Sequence, residues 1–354
     1  MEKDFDFADF LLQFYSRSEW RRSKVILNNL IGRRTVSNLF WGMQYGLLPF
    51  FNLFPKLKQD TFDHYQKYLA QTNLIQIHDT EAQLTQAGQQ RKEAKQKAFL
   101  RYKFSGIGLY TNLTVIQDCL NLSVQITSEF AYQNNRYYPL QYSGRVMNFC
   151  KRWFHINSTQ KFPDEFHAEL TEFLETLNSK DADVFVAGFV GHNTFGLTDQ
   201  QIETNLNLTS FEWQLKTLDL ITQFIRWSSD GHQINHPLCT QLITPWLNDS
   251  PLSMSSATTY QQFLNNYTIE MIAQKRKVKV NTIREHLLEA AILKNNFPFQ
   301  SFLSKPLPDK LHKYLQDNAS GKWQFTDVTE LAPEISFFEF RLLQIREVKS
   351  KNDD

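Results

Sequence analysis

Residues 256–292 read SATTYQQFLNNYTIEMIAQKRKVKVNTIREHLLEAAI, and the spacing of their apolar and capping residues predicts three short helices joined by tight turns. Thr258 is placed to cap a first helix that turns Phe263 and Leu264 inward. Thr268 is placed to cap a second, with Ile269, Ile272 and Ala273 inward, Ala273 being small where two helices would cross closely. After the basic turn Lys275–Val278, a third helix runs from about Val280 with Ile283, Leu287 and Ala290 or Ala291 toward the core. That arrangement is the spacing of a helix-turn-helix.

In such a module the exposed N-terminal face of the last helix meets base edges, which here would be Val280, Asn281, Arg284 and Glu285, with Leu288 one turn on. Asn281 and Arg284 suit adenine and guanine contacts. Lys275, Arg276, Lys277 and Lys279 lie where phosphate oxygens would run, and helix N-termini add donors to the same anion. Glu285 and Glu289 are expected near phosphate and Leu288 is apolar, which argues against strong sequence-specific reading. A protein-docking use of the same module stays open, with Leu288 and Tyr260 as part of its surface. His286 reads as a packing or capping histidine.

The pattern carried by Thr268, Ile272, Ala273, Arg276, Val278, Thr282, Ile283, His286 and Leu287 resembles the helicase helix-turn-helix domain at the C-terminus of some RecQ helicases. The tail Glu334–Leu343 (EISFFEFRLL) resembles the closing element of that family, so the resemblance covers about Ser255 to Ile345.

Upstream, Asn248–Ser256 is a polar run containing Pro251 and is the best linker candidate. Residues 104–250 carry long helical patterns rich in Phe, Tyr and Trp, with acids at Asp164, Glu165, Glu169, Glu172 and Glu175 read as a solvated face. The front predicts three helices, beginning near Ser18, at Thr35 and near Asp60, then a hairpin from Leu74–His78 to Gln83–Gly88. Asn73-Leu-Ile and Leu84-Thr-Gln-Ala-Gly88 resemble the wing and exit of bacterial winged helices, the alternative being a plain three-helix unit with a hairpin cover. The basic run Arg91–Lys103 reads as a solvated connector helix or a phosphate-tracking face. Arg21, Arg22, Arg33 and Arg34 are further phosphate candidates.

The expected fold is therefore mainly α: a winged-helix-like unit with a small β-wing at 1–103, a helical middle domain at 104–250 and a helix-turn-helix domain at 251–354. Together the three parts resemble the YpbB-type proteins of bacteria, free-standing chains encoded beside a RecQ-type helicase. The resemblance implies an accessory role with that helicase on DNA, in repair or recombination, and supplies no catalytic residues.

Composition narrows the chemistry. Only 12 glycines in 354 residues lower the prior for glycine-rich phosphate loops, and GxxxxGK[ST], GxSxG and helical HExxH are all absent. Phe104–Gly108 (FSGIG) lacks the further glycine of a dinucleotide fingerprint and reads as a turn. The net charge of +1 requires any polyanion to be met by a local patch. His232, His236 and Cys239 are metal-like in type, but Pro237 and the lack of a fourth ligand favour an ordinary loop. Cys119, Cys150 and Cys239 have no CxxC pairing and read as reduced thiols. No apolar stretch is long enough for a membrane span and no signal peptide is visible, so the chain is expected to be cytoplasmic, with nucleoid association compatible with DNA contact. No enzyme, cofactor or metal is expected. A sequence-specific transcription regulator built of the same modules is the alternative to the helicase adaptor.

Overall fold

Apolar residues at helical spacing dominate the chain, and the computed structural model, which describes residues 5–102, 104–229, 236–303 and 306–353, is mostly α-helical. Its elements run α1 Phe7–Leu12, β1 Arg21–Arg22, α2 Ser23–Leu30, α3 Val36–Gln44, α4 Gln59–Gln71, β2 Ile75–His78, β3 Glu81–Leu84 and α5 Gln86–Phe99. Then follow α6 Leu113–Ala131, α7 Gly144–Asn157, α8 Phe162–Glu175, α9 Ser179–Val186, α10 Asp199–Leu206, α11 Ser210–Ser229 and α12 Pro237–Ile243. The remainder is α13 Met254–Leu264, α14 Ile269–Arg276, α15 Val280–Leu293, α16 Asp309–Asp317, α17 Phe325–Leu331 and α18 Phe337–Asp353. Among the described residues no helix is long and apolar enough to cross a membrane.

Two compact units form, and each is discontinuous: Met1–Ser23 with Asn52–Asn248, and Lys24–Phe51 with Asp249–Asp354. They cut across the three sequential domains expected at 1–103, 104–250 and 251–354, although the crossing at 248/249 falls within two residues of the expected linker cut. Residues 1–103 do not form a unit of their own, because the N-terminal aromatic cluster includes a residue of the middle helices. Phe7 and Phe10 meet Phe211 of α11 at 5.3 and 5.5 Å between ring centroids, and Phe54 joins the same cluster.

In the first unit the strands form an antiparallel sheet of order β1-β3-β2, with Ile75 opposite Leu84 and Arg21 opposite Ala82. The Leu84–Gly88 stretch has a local physical reason. Leu84 ends β3, and the Thr85 hydroxyl donates to the Asn73 carbonyl at 2.6 Å while accepting the Gly88 N–H at 2.9 Å, so it ties the hairpin to α4 and caps α5. A Cβ on Gly88 would lie 1.8 Å from the Leu74 carbonyl oxygen, so only glycine fits.

The basic helix α5 is less solvated than expected. Arg91 donates through Nε and Nη2 to both carboxylate oxygens of buried Asp9 at 2.7 and 2.9 Å, and Lys92 donates to the Tyr15 carbonyl at 2.8 Å. Burial, with Arg21 nearby, pulls the Lys92 ammonium down to about 8. Arg21 and Arg22 are also engaged, the first with Glu19 and the Phe14 carbonyl and the second with Glu81.

Around α6, the helices α7, α8, α11 and α12 bury Cys119, Cys150, Trp153, Phe162, Phe166 and Phe224. All three cysteines are buried and free. Glu169 leaves the expected solvated acidic face: it is buried and accepts the backbone N–H groups of Leu238 and Cys239 at 3.1 and 2.8 Å, capping α12. Asp164, Glu165, Glu172 and Glu175 remain exposed as expected.

The second unit is built around α15. Helix α3 rests on α15 and α18, and its residues Leu39, Phe40 and Met43, which recur at helical spacing, are buried there. Arg341 lies over the Phe40 ring at 4.0 Å, and Gln44 donates to the Ser320 hydroxyl at 3.3 Å. Two expected helix starts move: residues 21–22 are strand and α2 begins at Ser23, while α4 begins at Gln59 with no side-chain cap. Thr35 does cap α3, accepting the Asn38 N–H at 3.3 Å.

Candidate nucleic-acid interface

The three helices of the quoted stretch form as expected, with one shift at the start. Ser253 rather than Thr258 caps α13, its hydroxyl accepting the Ser256 N–H at 3.2 Å, so the last residues of the presumed linker are already helix. Thr258 lies a turn inside and donates to the Met254 carbonyl at 2.9 Å. Consequently Tyr260 faces the core and Leu264 is exposed, while half-buried Phe263 stacks on Phe302 at 4.8 Å. Thr268 caps α14 by accepting the Met271 N–H at 3.2 Å. Ile272, Ala273, Ile283, Leu287, Ala290 and Ala291 are all buried.

The turn closes on Lys277, which adopts a left-handed conformation at φ 53°. Its N–H reaches the Gln274 carbonyl at 3.2 Å and the Val278 N–H reaches the Ala273 carbonyl at 3.0 Å. This bond pair is the Schellman ending that usually carries glycine. Lys279 then precedes α15 without offering a side-chain oxygen, so the first N–H groups of α15 lack a side-chain cap.

Around this turn the structure sorts the predicted cations into two groups. Lys275, Lys277 and Lys279 are exposed, Lys275 lying over the Tyr267 ring at 4.5 Å. Asn281 is exposed on the first turn of α15, and half-buried Arg284 donates to its Oδ1 at 3.3 Å. Arg33 is exposed in the α2–α3 turn. Arg276 points inward instead: it donates to the Ser255 carbonyl and hydroxyl at 2.9 and 2.8 Å and to the Thr259 hydroxyl, clamping the end of α14 to α13. Arg34 is likewise internal, donating to the Pro251 carbonyl at 2.6 Å and to Glu289 at 3.0 Å and lying over the Phe51 ring.

The expected obstacles to DNA also move. Glu289 is buried, where it accepts the Ser253 N–H at 2.6 Å and the Ser256 hydroxyl at 2.8 Å, so it cannot stand at a phosphate. Its charge at i+9 from Val280 is on the inner side of α15, a placement that helical periodicity alone leaves to whatever covers that face. Leu288 and Tyr260 are core residues at 4% and 8% exposure, not a docking surface. Glu285 remains exposed.

His286 is a packing histidine. Its Nδ1 lies 2.8 Å from the Thr259 hydroxyl and 3.3 Å from Arg276 Nη1, so Nδ1 acts as acceptor and the proton belongs on Nε2. Burial, then the Arg276 charge, lowers its pKa below the usual histidine value, against the pull of Glu289 and Glu285.

The tail completes the unit: Ser336 and Glu339 form a reciprocal cap at the start of α18, the Ser336 N–H donating to Glu339 at 2.9 Å and the Glu339 N–H to the Ser336 hydroxyl at 3.3 Å. Of the metal-like cluster, His232 lies outside the described residues, His236 Nδ1 is 3.3 Å from Glu172, and Cys239 is buried with its thiol pKa pushed up by desolvation and Glu169. No group of metal ligands occurs among the described residues.

Three short helices, a basic left-handed turn and an exposed start of the third helix define a helix-turn-helix module, and residues 255–344 match the family model described as a helix-turn-helix domain. Over 239 residues the chain is distantly homologous to Protein YpbB of Bacillus subtilis (strain 168), with 23% identity. That similarity takes in 65% of this chain and 64% of the relative's length. No solved structure matches.

Proposed function

We propose that this protein is a non-enzymatic DNA-binding adaptor that acts with a RecQ-type helicase in DNA repair or recombination. One observation carries the DNA part: Lys275, Lys277 and Lys279 stand exposed around a turn that leads into the uncapped, exposed start of α15. Such a cluster tracks phosphate, and the helix N-terminus adds donors to it. The helicase part is supported by the module type and by the likeness to YpbB.

Co-purification with the RecQ-type helicase of the same cell, followed by binding of each and of both to duplex and forked DNA across salt, tests this reading. A stable complex that binds forks is the expected result. A second reading, a sequence-specific regulator, is favoured by Asn281, exposed on the first turn of α15, with half-buried Arg284 beside it. Absence of any complex together with tight, site-selective duplex binding would replace the first reading with the second.

A further inference from the structure

Gln125, Ser128 and Glu129 of α6, with its C-cap Tyr132, follow the i, i+3, i+4, i+7 spacing and share one face. Two loops converge on that face. Gln125 holds the loop after α6, donating to the Tyr138 carbonyl at 3.2 Å and accepting the Leu140 N–H at 2.8 Å. Glu129, a buried carboxylate, accepts from Asn134 of the same loop at 2.6 Å and meets His192 Nδ1 of the second loop at 2.9 Å. Ser128 accepts the His192 N–H at 3.0 Å, and a Cβ on Gly191 would come within 2.6 Å of that hydroxyl, so the loop approaches α6 closely. Gly191 and Thr194 pair through two backbone bonds, which fixes the turn.

What this fixed scaffold displays is aromatic. Tyr132, Tyr138 and Phe195 are 68%, 97% and 86% exposed, and Tyr132 stacks on His192 at 4.5 Å with 22° between the rings. A surface that holds three large aromatics in water on well-anchored loops marks a binding site more often than chance. Charge points to the class of partner. Residues 132–145 and 187–198 contain no Asp or Glu, the first acid beyond them being Asp199, and they include the exposed Arg136. Aromatic faces beside a cation, with the neighbouring Glu129 carboxylate buried and engaged by Asn134 and His192, suit unstacked bases on a polyanionic backbone.

We propose that this face is a platform for single-stranded nucleic acid, with Tyr132, Tyr138 and Phe195 supplying the stacking surfaces. It is separate from the helix-turn-helix and does not depend on that module's binding duplex DNA. The test measures binding of the full chain to oligothymidine and oligouridine of about 15 nucleotides, a length within a typical single-strand site, and to a duplex of the same length. Two triple variants accompany the native protein: Tyr132→Leu, Tyr138→Leu, Phe195→Leu, which keeps apolar area but removes the ring faces, and Lys275→Ala, Lys277→Ala, Lys279→Ala.

Single-strand binding that the leucine variant weakens roughly tenfold or more, with duplex affinity within about twofold of native, is the expected outcome. Tighter binding of either oligomer names the preferred backbone and supports the platform. No single-strand binding by the native chain, or binding that the leucine variant leaves unchanged, overturns it. Failure of the duplex arm alone counts against the helix-turn-helix reading and leaves the platform supported.

Discussion

Arg34 donates to Glu289 at 3.0 Å across 255 positions of sequence, and this pair ties the α2–α3 segment to the third helix of the helix-turn-helix. Glu289 holds Ser253 and Ser256 with the same carboxylate, so one residue caps α13 and anchors Arg34. Removing Arg34 leaves a buried carboxylate short of its only cation partner among these contacts, and Arg34→Ala should destabilise the protein by about 3 kcal/mol. Urea unfolding measures this, and a change below about 0.5 kcal/mol would show that the pair is dispensable. Because Lys24–Phe51 belongs to the same unit, a fragment of residues 249–354 alone should lack cooperative unfolding, which addition of the 24–51 segment should restore.

Gly88→Ala tests the reading of the Leu84–Gly88 stretch. A methyl group 1.8 Å from the Leu74 carbonyl oxygen meets backbone and cannot be relieved by a side-chain rotation. The expected loss is about 3 kcal/mol, at the upper end of overpacking costs, read from a denaturant midpoint at unchanged slope.

Lys277 in the left-handed region carries a steric cost of roughly 1 kcal/mol that glycine avoids. Lys277→Gly should therefore raise the melting temperature while reducing duplex affinity, since it removes one of the proposed phosphate contacts. An unchanged melting temperature would mean that the conformation at the turn is not strained.

The proposed phosphate face of three lysines makes a definite salt dependence the expected result. Each phosphate contact contributes about 0.9 to the slope of log K against log salt for duplex DNA, so the triple alanine variant should flatten that slope by roughly 2.7. Arg276→Ala should act differently, since that guanidinium clamps α14 to α13: stability falls, and the slope per folded molecule stays near the native value. An Arg276 variant that flattens the slope with no loss of stability would place the guanidinium at phosphate after all.

His286 has a definite sign of pH dependence. Its folded pKa lies below the ordinary value of 6.5, because burial and Arg276 both oppose the charged form. The unfolded chain thus binds the proton more readily, so the contribution is fully present above pH 6.5 and is lost as pH falls through the folded pKa. His286→Asn keeps an acceptor toward Thr259 without titrating. Between pH 7.5 and 5.5 the native protein should lose more stability than this variant, and equal losses would remove His286 from the account.

Much of this molecule is legible in the amino-acid order. The caps at Thr35 and Thr268, the buried row Ile272, Ala273, Ile283 and Leu287, the hairpin and the basic turn all rest on interactions within a few residues, which spacing and residue type report directly. The extent of the C-terminal module, read as Ser255 to Ile345, agrees with the matched 255–344. Tertiary structure decided what covers each apolar face and which charges stay in water. Periodicity shows that Leu39 and Phe40 are buried, but only the fold puts them against α15 and α18. Composition makes Arg34, Arg276 and Glu289 look like surface charge, whereas each is satisfied by groups distant in sequence: Arg34 by Pro251 and Glu289, Arg276 by Ser255 and Thr259. The aromatic face of α6 follows the same rule, because a buried carboxylate and two loops separated in sequence by α7, α8 and α9 meet only once the helices are assembled. Local propensity is encoded residue by residue, while the partner of a buried charge is fixed by the path of the whole chain.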